Sequence, residues 1–124
     1  MRGFVIAAAA TLALGFAAPA NAAGDAANGK TVFSRCSICH NAAKGAGNKI
    51  GPNLFGVVGR KAGTLAGFNY SAAMKGFGKT WTPQLLDTYL THPGMTVPGT
   101  KMSFAGLSNV SQRADVVAYL QTLK

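Results

Sequence analysis

The pentapeptide Cys36-Ser37-Ile38-Cys39-His40 constrains the fold more than any other feature of this chain. Two thiols three positions apart can each form a thioether bond to a vinyl group of one porphyrin, and the adjacent imidazole is then held against the iron. The spacing C-x-x-C-H is typical of c-type haem attachment. We therefore expect a small domain whose centre is a large apolar cofactor.

The chain has only two cysteines, and three other uses of them are chemically possible. A thioredoxin-like redox pair also has the spacing C-x-x-C, but it usually lies in a βαβ framework, and the sequence shows no alternating strand pattern. A structural zinc site would take both cysteines with His40 and His92. However, Cys39 and His40 are adjacent and poorly placed to form two corners of one tetrahedron. A simple disulfide gives His40 no role.

Residues 1–22 are predicted to be a cleavable signal peptide. Arg2 gives a positive start, Phe4 to Ala18 form an apolar run, and Ala20-x-Ala22 supplies small residues for cleavage. The run is shorter than the about 17–25 residues that a membrane helix needs. We expect export to the periplasm and a mature domain of residues 23–124 without an integral membrane span.

The net charge of +9, from 12 basic and 3 acidic residues, restricts the class of partner. Such a charge suits nucleic acid, an anionic membrane surface or an acidic protein. Export argues against nucleic acid, so an acidic protein partner is the prediction.

Caps and apolar spacing predict short helices. Asp25 is the expected N-cap of a helix over residues 26–35, and Thr82-Pro83 should open a second that runs through Leu90 and stops at His92-Pro93-Gly94. Ser108 is the expected cap of a last helix. That helix has Val110, Ala114, Val117 and Leu120 on one side. Glycines crowd the region from 45 to 106 and favour ordered loops there.

Three methionines follow the signal peptide, Met74, Met95 and Met102, and each offers a thioether to an iron that His40 binds on one side. Methionine is more often a flexible core residue than a ligand. Composition alone therefore leaves the choice open.

Several further motifs have the order and spacing of one known family. They are Gly51-Pro52-Asn53-Leu54, Gly59-Arg60-Lys61, Gly67-Phe68-Asn69-Tyr70-Ser71, Trp81, Leu86-Asp87-Thr88-Tyr89-Leu90, Val97-Pro98-Gly99-Thr100-Lys101-Met102-Ser103-Phe104-Ala105-Gly106 and Val117-Ala118-Tyr119-Leu120. Over nearly all of residues 23–124 the chain resembles the class I cytochromes c, in particular their soluble, mitochondrial-like bacterial branch.

The resemblance implies an all-α class I cytochrome c fold, in which short helices and loops wrap around one covalently bound haem c. Cys36 and Cys39 would make the thioether bonds, and His40 and Met102 would be the axial ligands. The context Pro-Gly-Thr-Lys favours Met102 over Met95 for this role.

The same resemblance assigns the surroundings of the haem. The Pro52 carbonyl would accept a hydrogen bond from the His40 ring, and Tyr89 would lie near the Met102 sulfur. The residues implied around the haem propionates are Arg60, Tyr70, Ser71 and Trp81. The first and last helices would cross at Gly29, Phe33 and Tyr119.

In function, the resemblance implies a periplasmic one-electron carrier of a respiratory or photosynthetic chain, not an enzyme. It would move electrons from a cytochrome bc complex to a terminal oxidase or photosynthetic reaction centre. A monomer that docks transiently on acidic redox proteins or membrane redox complexes is expected, steered by Arg35, Lys49 and Lys101. A peroxidase-like enzyme is the rival, but it needs an open position on the iron, which Met102 would close.

Overall fold

The computed structural model describes residue 3, residues 8–15 and residues 24–124. Most of the predicted signal peptide, residues 1–22, lies outside these described residues. The helices, in chain order, are α1 (Ala26–Val32), a 3-10 turn (Phe33–Arg35), α2 (Ala72–Phe77), α3 (Pro83–Thr91), α4 (Pro93–Thr96) and α5 (Val110–Gln121). Within the described ranges, the only β-type pairing is one isolated bridge between Lys61 and Thr80. The predicted all-α class is confirmed.

Helix α1 and the 3-10 turn that follows it lead directly into the cysteine motif. The Asp25 side chain accepts from the Asn28 backbone N–H at 2.9 Å, so the predicted cap is confirmed. The helix is shorter than expected, because the chain tightens into the 3-10 turn after Val32. Such tightening is common at helix ends, and here it leads directly into Cys36.

Helices α3 and α4 come directly before the predicted methionine loop in the chain. Thr82 caps α3 through a 3.1 Å bond from the Leu85 N–H, and Pro83 opens the helix as predicted. The expected stop at His92-Pro93-Gly94 is only partly right, because α4 begins at Pro93. Proline is tolerated in the first turn of a helix, where its missing N–H has no partner to lose.

Two local predictions need correction. Asn109, not Ser108, caps α5, since its side chain accepts from the Gln112 N–H at 3.0 Å. Both residue types are good N-caps, so sequence alone could not choose between neighbours. Helix α2 was not predicted; it begins at the cap Ser71, whose Oγ accepts from the Met74 N–H at 3.1 Å.

Helices α1 and α5 cross in close contact, as the resemblance implied. The Phe33 and Tyr119 rings lie 5.2 Å apart between centroids. A Cβ added to Gly29 would lie 1.9 Å from the Asp115 carbonyl oxygen and 2.8 Å from the Tyr119 Cβ. Only a residue without a side chain permits this separation of the two backbones.

This crossing gives a paired prediction. Gly29→Ala should lower the free energy of unfolding of the haem-loaded protein by about 3 kcal/mol, because the new methyl forces the helices apart. Gly76→Ala, in α2, is the matched substitution, since its Cβ would meet nothing within 4 Å. It should raise the same quantity by about 0.5–1 kcal/mol through helix propensity. Guanidinium unfolding measures the two changes in unfolding free energy. If both substitutions change it in the same direction, the assigned contact between α1 and α5 at Gly29 is contradicted.

Arg113 of α5 is a buried cation that joins three segments. Its Nε donates to Asp87 of α3 at 2.9 Å, and one terminal nitrogen donates to the carbonyls of Leu107 and Ser108 at 2.7 and 3.1 Å. These bonds offset the cost of burying the guanidinium. They also anchor the end of the loop that carries Met102.

No helix in the described part of the chain is both long and apolar enough to cross a membrane.

Candidate functional site

The helices and loops enclose a cavity of about 260 Å³. A water molecule needs only about 10–15 Å³ measured in this way, so the space suits a far larger group. All ten predicted site residues line it: Cys36, Cys39, His40, Pro52, Arg60, Tyr70, Ser71, Trp81, Tyr89 and Met102. Most of the remaining lining is apolar, including Leu54, Val57, Leu86, Val116 and Leu120.

The His40 ring is held in a single orientation and tautomer. Its Nδ1 lies 2.7 Å from the Pro52 carbonyl oxygen, which confirms the predicted hydrogen bond. A carbonyl can only accept, so Nδ1 carries the proton and Nε2 keeps its lone pair. Burial lowers the pKa of His40, which favours the neutral ring that metal binding requires.

Gly51 forms the surface against which the His40 ring packs. A Cβ on Gly51 would lie 2.3 to 2.8 Å from three atoms of the ring. The Gly51 N–H donates to the Cys39 carbonyl at 2.8 Å, which joins this stretch to the cysteine motif. The chain therefore leaves space for the imidazole by omitting a side chain.

The cysteine motif forms a compact turn with both thiols at the cavity wall. The N–H groups of Cys39 and His40 donate to the Cys36 carbonyl at 3.0 and 2.9 Å. Both thiols are free and half-buried, and burial raises the pKa of Cys36. Among the residues that the structure describes, no three His, Cys, Asp or Glu side chains are grouped for a metal ion.

The methionines differ in position. Met102 and Met74 line the cavity, whereas Met95 is 76% exposed. Met95 is thus directed to solvent in this arrangement. Met102 lies in the loop that follows α4, where it lines the cavity.

A hydroxyl pair connects the methionine loop to α3. The Tyr89 hydroxyl and Thr100 Oγ1 lie 3.1 Å apart, and Oγ1 also accepts from the Met102 N–H at 3.4 Å. Thr100 was not predicted as a site residue, although its place two residues before the methionine was a usable signal. Burial raises the pKa of Tyr89, and the Thr100 hydrogen bond partly offsets that rise.

The raised Tyr89 pKa predicts a pH dependence of stability. An unfolded tyrosine ionises near pH 10, while the folded one keeps its proton. The contribution of Tyr89 to the free energy of unfolding is therefore fully present below about pH 10. It is lost as the pH rises through the pKa of the folded state. Tyr89→Phe should show a shallower loss of unfolding free energy as the pH rises above about 10, measured by urea unfolding. Identical slopes for both proteins would contradict the assigned burial effect.

Arg60, Tyr70, Ser71 and Trp81 place polar groups at one part of the cavity wall. Arg60 donates to the Asn53 carbonyl at 3.1 Å, and burial lowers its pKa. The Tyr70 oxygen accepts from the Leu65 N–H at 3.3 Å, so its own proton stays free to donate. The Ser71 oxygen accepts from the backbone of α2 as its cap, and its hydroxyl proton remains available.

Charge is distributed unevenly over the domain. The three acidic residues are all in the helical part: Asp25 caps α1, Asp115 accepts from the Asp25 N–H, and Asp87 pairs with Arg113. Arg35 and Lys101 line the cavity and are exposed. The face at the cavity mouth is therefore cationic.

The residues present fit a covalently held haem. The cavity offers two thiols, an imidazole nitrogen with a free lone pair, an inward thioether and a mainly apolar wall. Arg60 and two hydroxyl donors are available to acidic substituents, which are costly to bury unless they are hydrogen-bonded.

Comparison with known proteins agrees with this fit. The family model described as cytochrome c matches residues 26–124. The chain belongs to the cytochrome c family. It is similar to cytochrome c of Trypanosoma brucei brucei, with 59% identity over 83 residues, or 67% of this chain and 89% of that protein. Cytochrome c2 of Rhodomicrobium vannielii is 52% identical over 110 residues, or 89% of this chain and 88% of that one.

Among solved structures, cytochrome cH from Methylobacterium extorquens superposes with a TM-score of 0.76 at 45% identity. The match covers 80% of this chain and 99% of that one. The fold is thus that of a class I cytochrome c, as predicted. Its cofactor is covalent haem c, and the protein is an electron carrier, not an enzyme.

Proposed function

We propose that this cytochrome c carries one electron at a time on a single haem c attached to Cys36 and Cys39, with His40 and Met102 as axial ligands. The observation that carries the proposal is the His40–Pro52 hydrogen bond of 2.7 Å. It leaves Nε2 as the only ring nitrogen able to bind iron, in a cavity that Met102 also lines.

Each residue has a specific task in this proposal. Cys36 and Cys39, which line the cavity as free thiols, would hold the haem through two thioether bonds. Pro52 fixes the imidazole and raises its basicity. Soft thioether ligation by Met102 favours the ferrous state and so raises the potential.

When bound, haem supplies a ferric–ferrous couple that accepts and releases one electron. The chain's part is to keep both ligands in place in either state and to exclude water with its apolar wall. Arg60, Tyr70, Ser71 and Trp81 would bind the propionates. The Arg113 bonds at the end of the methionine loop would help to keep Met102 at the iron.

We further propose that residues 1–22 are removed on export and that residues 23–124 work in the periplasm. A cytochrome bc complex would be the donor, and a terminal oxidase or photosynthetic reaction centre the acceptor. Residues 23–124 carry 11 basic and 3 acidic side chains, a net charge of +8. This charge and the cationic cavity mouth support steering towards an acidic partner. A carrier must leave its partner quickly, so a monomer with a small docking face is expected.

Three measurements test this function. A pyridine haemochrome assay on the exported protein should detect haem c, and an anaerobic redox titration should give one reversible one-electron step. Reduction by a purified cytochrome bc complex should then be fast at low salt and slower at high salt. A colourless protein from cells with a working haem-ligation system would overturn the proposal.

A further inference from the structure

The sequence contains one asparagine that is followed directly by glycine, the pair Asn28-Gly29 in helix α1. Asparagine is a thermolabile residue, because the next backbone nitrogen can attack the carbon of its side-chain amide. A following glycine hinders this attack least, since it has no Cβ. Asn28 is exposed, so water, the other reactant, has access to it. The pair therefore has the composition and the access of a deamidation site.

Deamidation at this pair would need no reagent except water. The Gly29 nitrogen forms a bond to Asn28 Cγ, the bond between Cγ and Nδ2 breaks, and Nδ2 leaves as ammonia with the proton of the Gly29 amide. Water then adds to one of the two carbonyl carbons of the resulting succinimide and opens the ring. One opening leaves aspartate at position 28. The other leaves isoaspartate, in which the main chain runs through Cβ and Cγ and is one carbon longer.

Helix α1 prevents this attack while its first turn is formed. The Gly29 N–H donates to the Asp25 carbonyl at 2.8 Å, and the Asn28 N–H donates to the Asp25 carboxylate at 2.9 Å. Asn28 must leave the helical ψ of about −42° before Cγ and the Gly29 nitrogen can meet. Both hydrogen bonds to Asp25 must therefore break before the reaction can start.

An isoaspartate at position 28 would lie at the crossing of α1 and α5. Gly29 is buried there, and even a Cβ on it would lie 1.9 Å from the Asp115 carbonyl oxygen. The extra main-chain carbon comes immediately before Gly29, so it displaces this residue from its contact with α5. The new carboxylate also adds negative charge beside Asp25, whose N–H already donates to the Asp115 carboxylate at 2.8 Å. The crossing cannot form again without a shift of one helix.

We propose that Asn28-Gly29 is a deamidation site that helix α1 keeps closed while it is folded against α5, and that the isoaspartate product weakens this crossing. The rate of reaction is then set by the fraction of molecules in which α1 is open, not by the exposure of Asn28. Molecules in which α1 opens often accumulate a change that hinders α1 from packing again. This site lies outside the cavity and goes beyond the proposed electron-carrier function.

The test follows aspartate and isoaspartate at position 28 in the haem-loaded protein, by peptide mass spectrometry during incubation in mildly alkaline buffer. The wild type is incubated folded and, as the unprotected reference, in guanidinium. Asp25→Ala removes the cap of α1. Thr82→Ala is the matched variant, because it removes the cap of α3, where the Thr82 hydroxyl accepts from the Leu85 N–H at 3.1 Å.

Deamidation at Asn28 should be about tenfold or more slower in the folded wild type than in guanidinium, since α1 must open first. Asp25→Ala should accelerate it about fivefold, which is the effect of a lost N-cap of typical strength on the open population. Thr82→Ala should react at the wild-type rate. Equal rates in folded and denatured wild type, no acceleration by Asp25→Ala, or equal acceleration by both variants would each overturn the inference, because α1 would then not be what closes the site.

A second measurement tests the effect of the product. The isoaspartate form is separated by chromatography and compared with Asn28→Asp, which has the same charge on an ordinary main chain. The isoaspartate form should unfold at a lower guanidinium concentration than the wild type. Asn28→Asp should stay close to wild type, because an acidic residue in the first turn suits the helix dipole. Equal unfolding midpoints for the isoaspartate form and Asn28→Asp would overturn the assigned effect on the crossing, while the carrier function would stand.

Discussion

The Met102→Ala variant is expected to lose the methionine–iron charge-transfer band that the ferric wild type should show. Its midpoint potential should fall by a substantial fraction of the roughly 0.8 V range over which axial ligands set haem potentials. The reason is that a soft thioether stabilises ferrous iron, and water or hydroxide would occupy the position instead. Absorbance of the ferric protein near neutral pH and a spectroelectrochemical titration measure the two effects.

Two other methionines give matched controls for this variant. Met74→Ala makes the same truncation at the other methionine that lines the cavity, and Met95→Ala makes it at a residue that is 76% exposed. Both should keep the charge-transfer band. Loss of the band in Met74→Ala, with retention in Met102→Ala, would transfer the ligand role to α2 and contradict the proposed ligation.

The site was more predictable from sequence than the fold around it. Its residues occur in short motifs whose chemistry needs particular residue types at particular spacings, such as two thiols and an imidazole within five positions. The His40–Pro52 bond was predicted and is present at 2.7 Å. That bond was implied by the resemblance to the cytochromes c, and it fixes the tautomer of the ligand.

Predictions failed where the sequence offered two residues equally suited to one role, so that tertiary contacts decide which of them takes it. Ser108 and Asn109 are both good caps, but in the structure the Ser108 carbonyl accepts from Arg113, and Asn109 caps α5. The sequence also did not predict that Arg113 would join α5 to α3 and to the loop before it, because its partners Asp87 and Leu107 are 26 and 6 residues away. Helix α2 is only six residues long, too short to give a reliable periodic pattern.

The thiols and the imidazole depend on backbone that comes close to them. The cysteine motif supplies His40, but the wall behind the ring is the backbone of Gly51, joined to Cys39 by a 2.8 Å hydrogen bond. The ligand's position is therefore set jointly by two segments. A change that leaves every ligand in place should still disturb the iron site if it pushes these segments apart.

Gly51→Ala makes that change and is expected to be the most damaging single methyl addition near the site. The new Cβ would lie 2.3 Å from His40 Cε1, 2.7 Å from Nδ1 and 2.8 Å from Nε2. Real atoms do not approach so closely, so either the ring or the Gly51 backbone must move, and the Pro52 hydrogen bond must lengthen or break. We expect the free energy of unfolding of the haem-loaded protein to fall by about 3 kcal/mol or more. The midpoint potential should rise, because the histidine loses the partner that raises its basicity, and a less basic ligand stabilises ferric iron less.

Gly47→Ala is the matched control for this variant. It lies four positions earlier, its Cβ would meet nothing within 4 Å, and its carbonyl can still accept from the Asn41 side chain. Guanidinium unfolding and redox titration should give Gly47→Ala a free energy of unfolding and a midpoint potential close to those of the wild type. Both quantities should change in Gly51→Ala. A Gly51→Ala protein with wild-type stability and potential would mean that the ring does not pack on this backbone. Then the Pro52 hydrogen bond alone would have to account for the orientation of His40.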